Sequence, residues 1–192
     1  MSEKRSFIKQ FWKEKKMVGA MAPSSRFLAQ KMLANIDFNV AKVIIELGPG
    51  TGVFTDKILD KMLPDAVLLV FELNENFCNQ LQKRITDERV HIIYDSAEKI
   101  EYYLAEYNLD KADVVVSSLP LANFPQDIRD SVLKASHNSL KPIGKYIQFQ
   151  YSLQSKKHIK KVFDDISIDF TPLNFPPAFV YTCNKGDRGK QE

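Results

Sequence analysis

From Lys42 onward the chain alternates short apolar runs with longer stretches in which apolar residues recur at helical spacing. Apolar runs of about four to eight residues, bounded by turn residues, read as strands buried in a sheet. They predict strands at 43–47, 67–72, 90–94, 112–117 and 144–151. The stretches between them repeat with a period near 3.6 and predict helices at about 53–62, 75–85, 98–107 and 126–139. Pro64, Pro120, Pro125 and Pro142 are assigned to connections, where a residue without an N–H is tolerated. A basic helix follows at 156–163. Two further strand-like runs, 166–171 and 178–183, flank a proline-rich turn and read as a hairpin-like ending. Regular strand–helix alternation predicts an α/β chain with a mostly parallel sheet and helices on both faces. In such sheets the ligand lies beyond the carboxyl ends of the strands.

The first forty residues follow another pattern. Phe7, Ile8, Phe11 and Trp12 form one stripe of a predicted helix over 2–17, and Lys4, Arg5, Lys9, Lys13, Lys15 and Lys16 crowd the rest of its surface. Gly19–Ser25 breaks the period. Ser24 or Ser25 is placed to cap a second helix, Arg26–Ile36, with Phe27, Leu28, Met32 and Leu33 on its apolar side. The first helix fits two roles. Its stripe packs on the domain with the lysines in water, or it lies in a lipid headgroup layer with the aromatics buried and the lysines on phosphates. The expected organisation is therefore 1–38, two amphipathic helices, and 39–192, one globular unit.

Composition narrows the picture only a little. The 192 residues and 44% apolar content suit one packed domain. The 27 basic and 24 acidic residues leave a net charge of +3, so global charge does not point to nucleic acid. No apolar run is long enough to span a bilayer, and the start lacks the apolar core of a secretion signal. Cys78 and Cys183 form no CxxC pair, and His91, His137 and His158 stand apart, so neither a metal site nor a disulfide framework is expected.

The chemistry concentrates at predicted strand ends. The first strand runs into Glu46-Leu-Gly48-Pro-Gly50-Thr-Gly52, and Glu72 follows Gly52 by twenty positions at the end of the second strand. Glycines let a backbone approach a ligand closely, and the later acid reaches a ribose. A dinucleotide fingerprint would carry a further glycine where Val53 and Phe54 stand. Glu46 would repel a pyrophosphate but suits a cation. The motif resembles the first motif of class I S-adenosylmethionine-dependent methyltransferases, which implies a sulfonium cofactor held by Glu46, Gly48, Gly50, Gly52 and Glu72, leaving S-adenosylhomocysteine as product.

The third strand ends in Asp95-Ser96-Ala97, the place where this fold meets an adenine. Asp95 or Ser96 is the candidate acceptor, with the register open by one toward Ala97; alternatively Asp95 caps the helix near Glu98. The fourth strand ends in Ser117-Ser118-Leu119-Pro120-Leu121. Amino-methyltransferases often carry Asn-Leu-Pro-Tyr or a relative of it there. Serine replaces the asparagine and Leu121 the aromatic, so no ring is left at that position to stack on a base and an aliphatic amine is the expected acceptor. An ordinary strand exit punctuated by Pro120 is the other reading.

The whole set of segments resembles the bacterial phospholipid N-methyltransferases, which convert phosphatidylethanolamine stepwise to phosphatidylcholine. The segments are Phe11-Trp12 with its lysines, Val18–Ser25, Glu46–Gly52, Ser117–Leu121, Gln148–Tyr151 and Phe175–Tyr181. The resemblance implies a seven-stranded Rossmann-like class I sheet whose last strand is antiparallel. It implies that Ser24 and Ser25 fold over the methionine end of the cofactor, with Ser117 also at the cofactor. It implies an aminophospholipid substrate, an anionic membrane surface met through Phe7, Phe11 and Trp12 with the flanking lysines, and a cytoplasmic protein peripheral to the inner membrane face; ornithine lipid, methylated by related enzymes, is the alternative headgroup. In the expected chemistry Tyr151, or the carbonyls of Ser118 and Leu119, orients the amine. Tyr151, Phe179 or Tyr181 faces the methylated cation, core packing being the alternative for the last two. An RNA-adenine methyltransferase, a small-molecule methyltransferase and a silent lipid-binding module are the competing readings.

Overall fold

The computed structural model describes residues 24–174 and 176–186. The expected helix over 2–17, with Phe7, Phe11 and Trp12, and Phe175 lie outside them. Among the described residues are α1 (Ser24–Leu33), β1 (Val43–Leu47), α2 (Val53–Leu59), β2 (Val67–Phe71), α3 (Glu75–Arg84), β3 (Val90–Ile93), α4 (Ile100–Glu106) and β4 (Ala112–Ser117). They continue with α5 (Gln126–Ser139), β5 (Leu140–Gln150), α6 (Lys156–Lys160), β6 (Asp165–Thr171) and β7 (Ala178–Asn184). Seven strands form one sheet in the order β3-β2-β1-β4-β5-β7-β6. β1 to β5 pair in parallel, and β7 runs antiparallel between β5 and β6.

All five residues of β1 are buried, which is why the strand reads as an unbroken apolar run around Glu46. Its alternate side chains feed two cores. Val43, Ile45 and Leu47 meet α4, α5 and the Ile159–Phe163 segment on one face; Ile44 meets α1 and α2 on the other. Strand order reverses between β1 and β4, and the crevice at that switch is where the glycine loop lies.

The expected elements are present with small shifts and one correction. Pro142 lies inside β5 and not in a connection. Ala112 pairs with Leu140 and Val114 with Lys145, so a two-residue step on β4 meets a five-residue step on β5. Pro142 sits in that bulge, where no ladder N–H is required. The helix expected at 98–107 is a 3-10 turn, Ala97–Lys99, followed by α4. α6 ends at Lys160, short of the expected 163. Ser24 and Ser25, expected to cap α1, are its first two residues.

Candidate active site

Gly48, Gly50 and Gly52 all have positive φ (70°, 57° and 87°). A Cβ on Gly48 would stand 2.8 Å from Leu119 Cδ2, whereas one on Gly50 would meet nothing within 4 Å. The first glycine is therefore demanded by packing; the second leaves open space above the loop for a ligand. Gly48 N–H donates to the Phe71 carbonyl at 2.9 Å and Ser118 N–H to the Leu47 carbonyl at 2.9 Å, so the loop leaves the sheet between β2 and β4.

Glu46 lies under this loop and is fully buried. The Thr55 hydroxyl, from α2, donates to its Oε2 at 2.7 Å, while Oε1 has no partner. Burial pushes its pKa up to about 8, and the neighbouring Asp56 and Glu72 carboxylates add to the rise. A buried carboxylate with an orphaned oxygen is a receptor for a cation. The donor set thus fits the cationic methionine end of a sulfonium cofactor.

Glu72 ends β2 and is 1% exposed. It accepts from the Asn74 N–H at 2.7 Å and the Gly50 N–H at 3.2 Å, which joins the second strand to the glycine loop. Burial raises its pKa to about 7. Each carboxylate oxygen keeps a lone pair for a ribose hydroxyl. Gly48, Glu72, Asp95, Ser96, Ala97 and Leu119 line one cleft that opens to solvent. Phe71, Leu73, Phe124 and Val132 complete its walls. Val132 comes from α5 and carries no local signal in the sequence; Leu73 is an apolar residue next to Glu72, a position that sequence reasoning passed over.

Asp95 is held from three sides. It accepts from the Ser96 N–H at 2.7 Å, Lys99 Nζ at 2.9 Å and the Tyr103 hydroxyl at 3.2 Å. The capping role considered for Asp95 belongs to Ser96, whose hydroxyl accepts from the Glu98 N–H at 3.3 Å. Asp95 is thereby fixed against the cleft wall with its charge balanced by Lys99.

The segment after β4 departs from expectation. The Leu119 carbonyl, expected to orient the acceptor amine, accepts instead from Gln148 Nε2 at 3.0 Å and Gln150 Nε2 at 2.9 Å. Both its lone pairs are used within the protein. The Tyr146 hydroxyl donates to Gln148 Oε1 at 2.7 Å, and Gln150 Oε1 accepts from the Ala122 N–H at 3.3 Å and the Ser155 hydroxyl at 3.4 Å. These two buried amides brace the loop from β5. Two glutamines at i and i+2 on a core strand were the signal. Ser117 is buried behind the cleft, its Oγ accepting from the Leu119 N–H at 3.4 Å. The Ser118 hydroxyl oxygen is buried and has no partner. Leu121 is fully buried.

Tyr151 is not among the cleft residues. It is 51% exposed and edge-on to Phe149 at 5.5 Å. Tyr181 is fully buried in the core and Phe179 packs against the same core, tilted on Phe170 at 5.2 Å. The side chains of Ser24 and Ser25 lie outside the described set.

Sheet order, glycine loop and the buried acids Glu46 and Glu72 together define a class I S-adenosylmethionine-dependent methyltransferase. Residues 13–163 match the ribosomal RNA adenine dimethylase family, and the chain belongs to that family. Its cofactor is accordingly S-adenosylmethionine. The chain is 29% identical to an ornithine lipid N-methyltransferase of Singulisphaera acidiphila, over 92% of this chain and 93% of that one. It is also 29% identical to ribosomal RNA small subunit methyltransferase A of Mesomycoplasma hyopneumoniae, over 55% of this chain but 38% of that one. Among solved structures it resembles the N-methyltransferase NodS of Bradyrhizobium japonicum in complex with S-adenosylhomocysteine. The TM-score is 0.70 at 10% identity, over 92% of this chain and 97% of that one.

Proposed function

We propose that the protein N-methylates the amine of an aminolipid headgroup at a membrane surface, with phosphatidylethanolamine converted to its mono-, di- and trimethyl forms. The observation that carries this is Leu121. The position that would supply a ring to stack on a base is a leucine, and it is fully buried in the core. An acceptor nitrogen there has no aromatic platform, which suits an aliphatic amine better than a nucleobase. The near full-length similarity to an ornithine lipid N-methyltransferase supports a lipid and makes ornithine lipid the second headgroup to test.

Bound S-adenosylmethionine supplies a methyl group on a positively charged sulfur. The acceptor must arrive as a free amine, because its lone pair forms the new N–C bond as the old S–C pair departs with sulfur. An aliphatic ammonium has a pKa of about 10 in water, and desolvation in the cleft mouth lowers it. We assign the Ser118 hydroxyl, buried and unpartnered next to Leu119, to accept from the amine N–H and aim its lone pair. Glu46 holds the cationic end of the cofactor and Glu72 its ribose. Burial raises the Tyr151 phenol above its ordinary pKa, so Tyr151 acts as a neutral hydrogen-bonding and aromatic group and not as a base.

The second reading is methylation of adenine in RNA, favoured by the family match over residues 13–163. One experiment separates the two. The full chain is incubated with methyl-labelled S-adenosylmethionine and, in parallel, phosphatidylethanolamine vesicles, ornithine lipid vesicles and ribosomal RNA. Label in a lipid, with mass spectra showing successive methyl additions to the amine, is the expected result. Label in RNA alone overturns the proposal.

A further inference from the structure

We propose, on the basis of the aminolipid reading above, that the corner of the molecule formed by residues 151–155 and 170–174 docks on an anionic lipid headgroup layer. β5 ends at Gln150 and β6 at Thr171, and β7 starts back from Ala178 in the opposite sense. Both connections therefore emerge at the edge of the sheet that carries the glycine loop. Among the described residues nine large apolar side chains are exposed, and four of them cluster here: Tyr151 51%, Leu153 44%, Phe170 54% and Leu173 68%. Such a concentration marks an interaction surface, whereas single exposed apolar residues do not.

The two connections form one unit. Gln150 and Phe170 both pair with Phe179, so the two connections leave neighbouring strand ends, and Asn174 is 4% exposed, its N–H donating to the Thr171 carbonyl at 3.4 Å and its Nδ2 to the Pro176 carbonyl at 2.7 Å. This holds the leucines at the tips outward without burying them.

Charge identifies the partner. Lys156, Lys157, Lys160 and Lys161 follow directly, within roughly 10 Å of the connection at helical rise. None of the four forms an ion pair among the described residues. The nearby acid Asp169 is neutralised by Lys31 at 3.2 Å. Apolar tips backed by uncompensated lysines match a layer of anionic headgroups over acyl chains. The surface is also continuous with the acceptor loop, since Ser155 hydrogen-bonds Gln150, which braces Leu119. A headgroup drawn from the layer thus meets the loop that would receive it.

The test compares the wild-type protein with the double variant Leu153→Asp, Leu173→Asp and with Lys156→Glu, Lys157→Glu. Each is sedimented with vesicles of phosphatidylglycerol and phosphatidylethanolamine. Each is also assayed on those vesicles and on short-chain phosphatidylethanolamine below its micellar concentration. All these positions are partly or fully exposed, and thermal unfolding confirms that the fold is kept. The expected result is a loss of vesicle binding and vesicle turnover of at least about tenfold in both variants, with the rate on dispersed lipid changed less than about twofold. Unchanged vesicle binding overturns the proposal. So does a change of oligomeric state in the leucine variant with vesicle binding intact, which would assign the patch to a second copy of the chain. If the wild type methylates neither lipid form, the aminolipid reading fails, while sedimentation still decides the docking surface.

Discussion

Glu46 shows how one residue ties ligand, protonation and stability together. It is buried with one oxygen unsatisfied, and its pKa stands at about 8 against the ordinary 4.5. The folded protein without cofactor retains a proton that the unfolded chain releases above pH 4.5. That contribution to stability is complete below the unfolded value and is lost as pH rises through about 8. Glu72, raised to about 7, acts in the same direction. The melting temperature without cofactor should therefore fall between about pH 4.5 and about pH 8, a trend that calorimetry reads directly. Binding of a cation requires the ionised carboxylate, so cofactor affinity should rise over the same interval. Glu46→Gln keeps an acceptor for Thr55 and removes the charge. It should weaken cofactor binding about 10- to 100-fold, the worth of a charged hydrogen bond, and flatten both pH trends. A variant that retains wild-type affinity and slope would show that Glu46 does not face the cofactor. The Glu-x-Gly-x-Gly-x-Gly spacing made this residue a candidate in the sequence alone. Its unsatisfied oxygen became visible only with Thr55 folded beside it.

At the scale of elements, the end of β5 and the loop after β4 behave as one part. Gln148 and Gln150 converge on the Leu119 carbonyl, and Leu119 in turn presses on the Gly48 position. Gln150→Leu would leave the Ala122 N–H and the Ser155 hydroxyl short of an acceptor and would take one of three donors, beside Gln148 Nε2 and the Leu121 N–H, from the Leu119 carbonyl. The expected cost is about 1–3 kcal/mol, read as a lower denaturation midpoint. Turnover should fall further than cofactor affinity, because the brace fixes the acceptor loop and not Glu46 or Glu72. Equal losses in both would reduce the brace to general stability. Bulge and brace were both hidden in the sequence for the same reason. Pro142 reads as a loop residue, and the β4–β5 register that absorbs it depends on a partner about thirty residues away. Strand and helix positions were legible because each buries a repeating face, whereas a register shift leaves the local apolar pattern unchanged.

The described residues present the glycine-loop cleft, the braced loop after β4 and an apolar, lysine-backed corner along one edge of the sheet. If that edge works on an anionic bilayer, turnover on vesicles should drop as salt rises from about 0.1 M to about 1 M, where the screening length shrinks from about 10 Å to about 3 Å. Cofactor affinity, set by buried groups, should change little; parallel titrations at the two salt levels distinguish the effects. A vesicle rate indifferent to salt would leave the lysines without a role in docking. The sequence by itself determined the α/β order, the parallel sheet with its antiparallel ending, the glycine loop and its two acids, because those follow from local period, turn chemistry and spacing. Only the tertiary structure decided that Leu119 offers no free carbonyl, that Tyr151 stays half exposed beside Phe149, and that Leu73, Phe124 and Val132 close the cleft. Those facts depend on which side chains from distant segments share space, and no residue's neighbours along the chain carry that information.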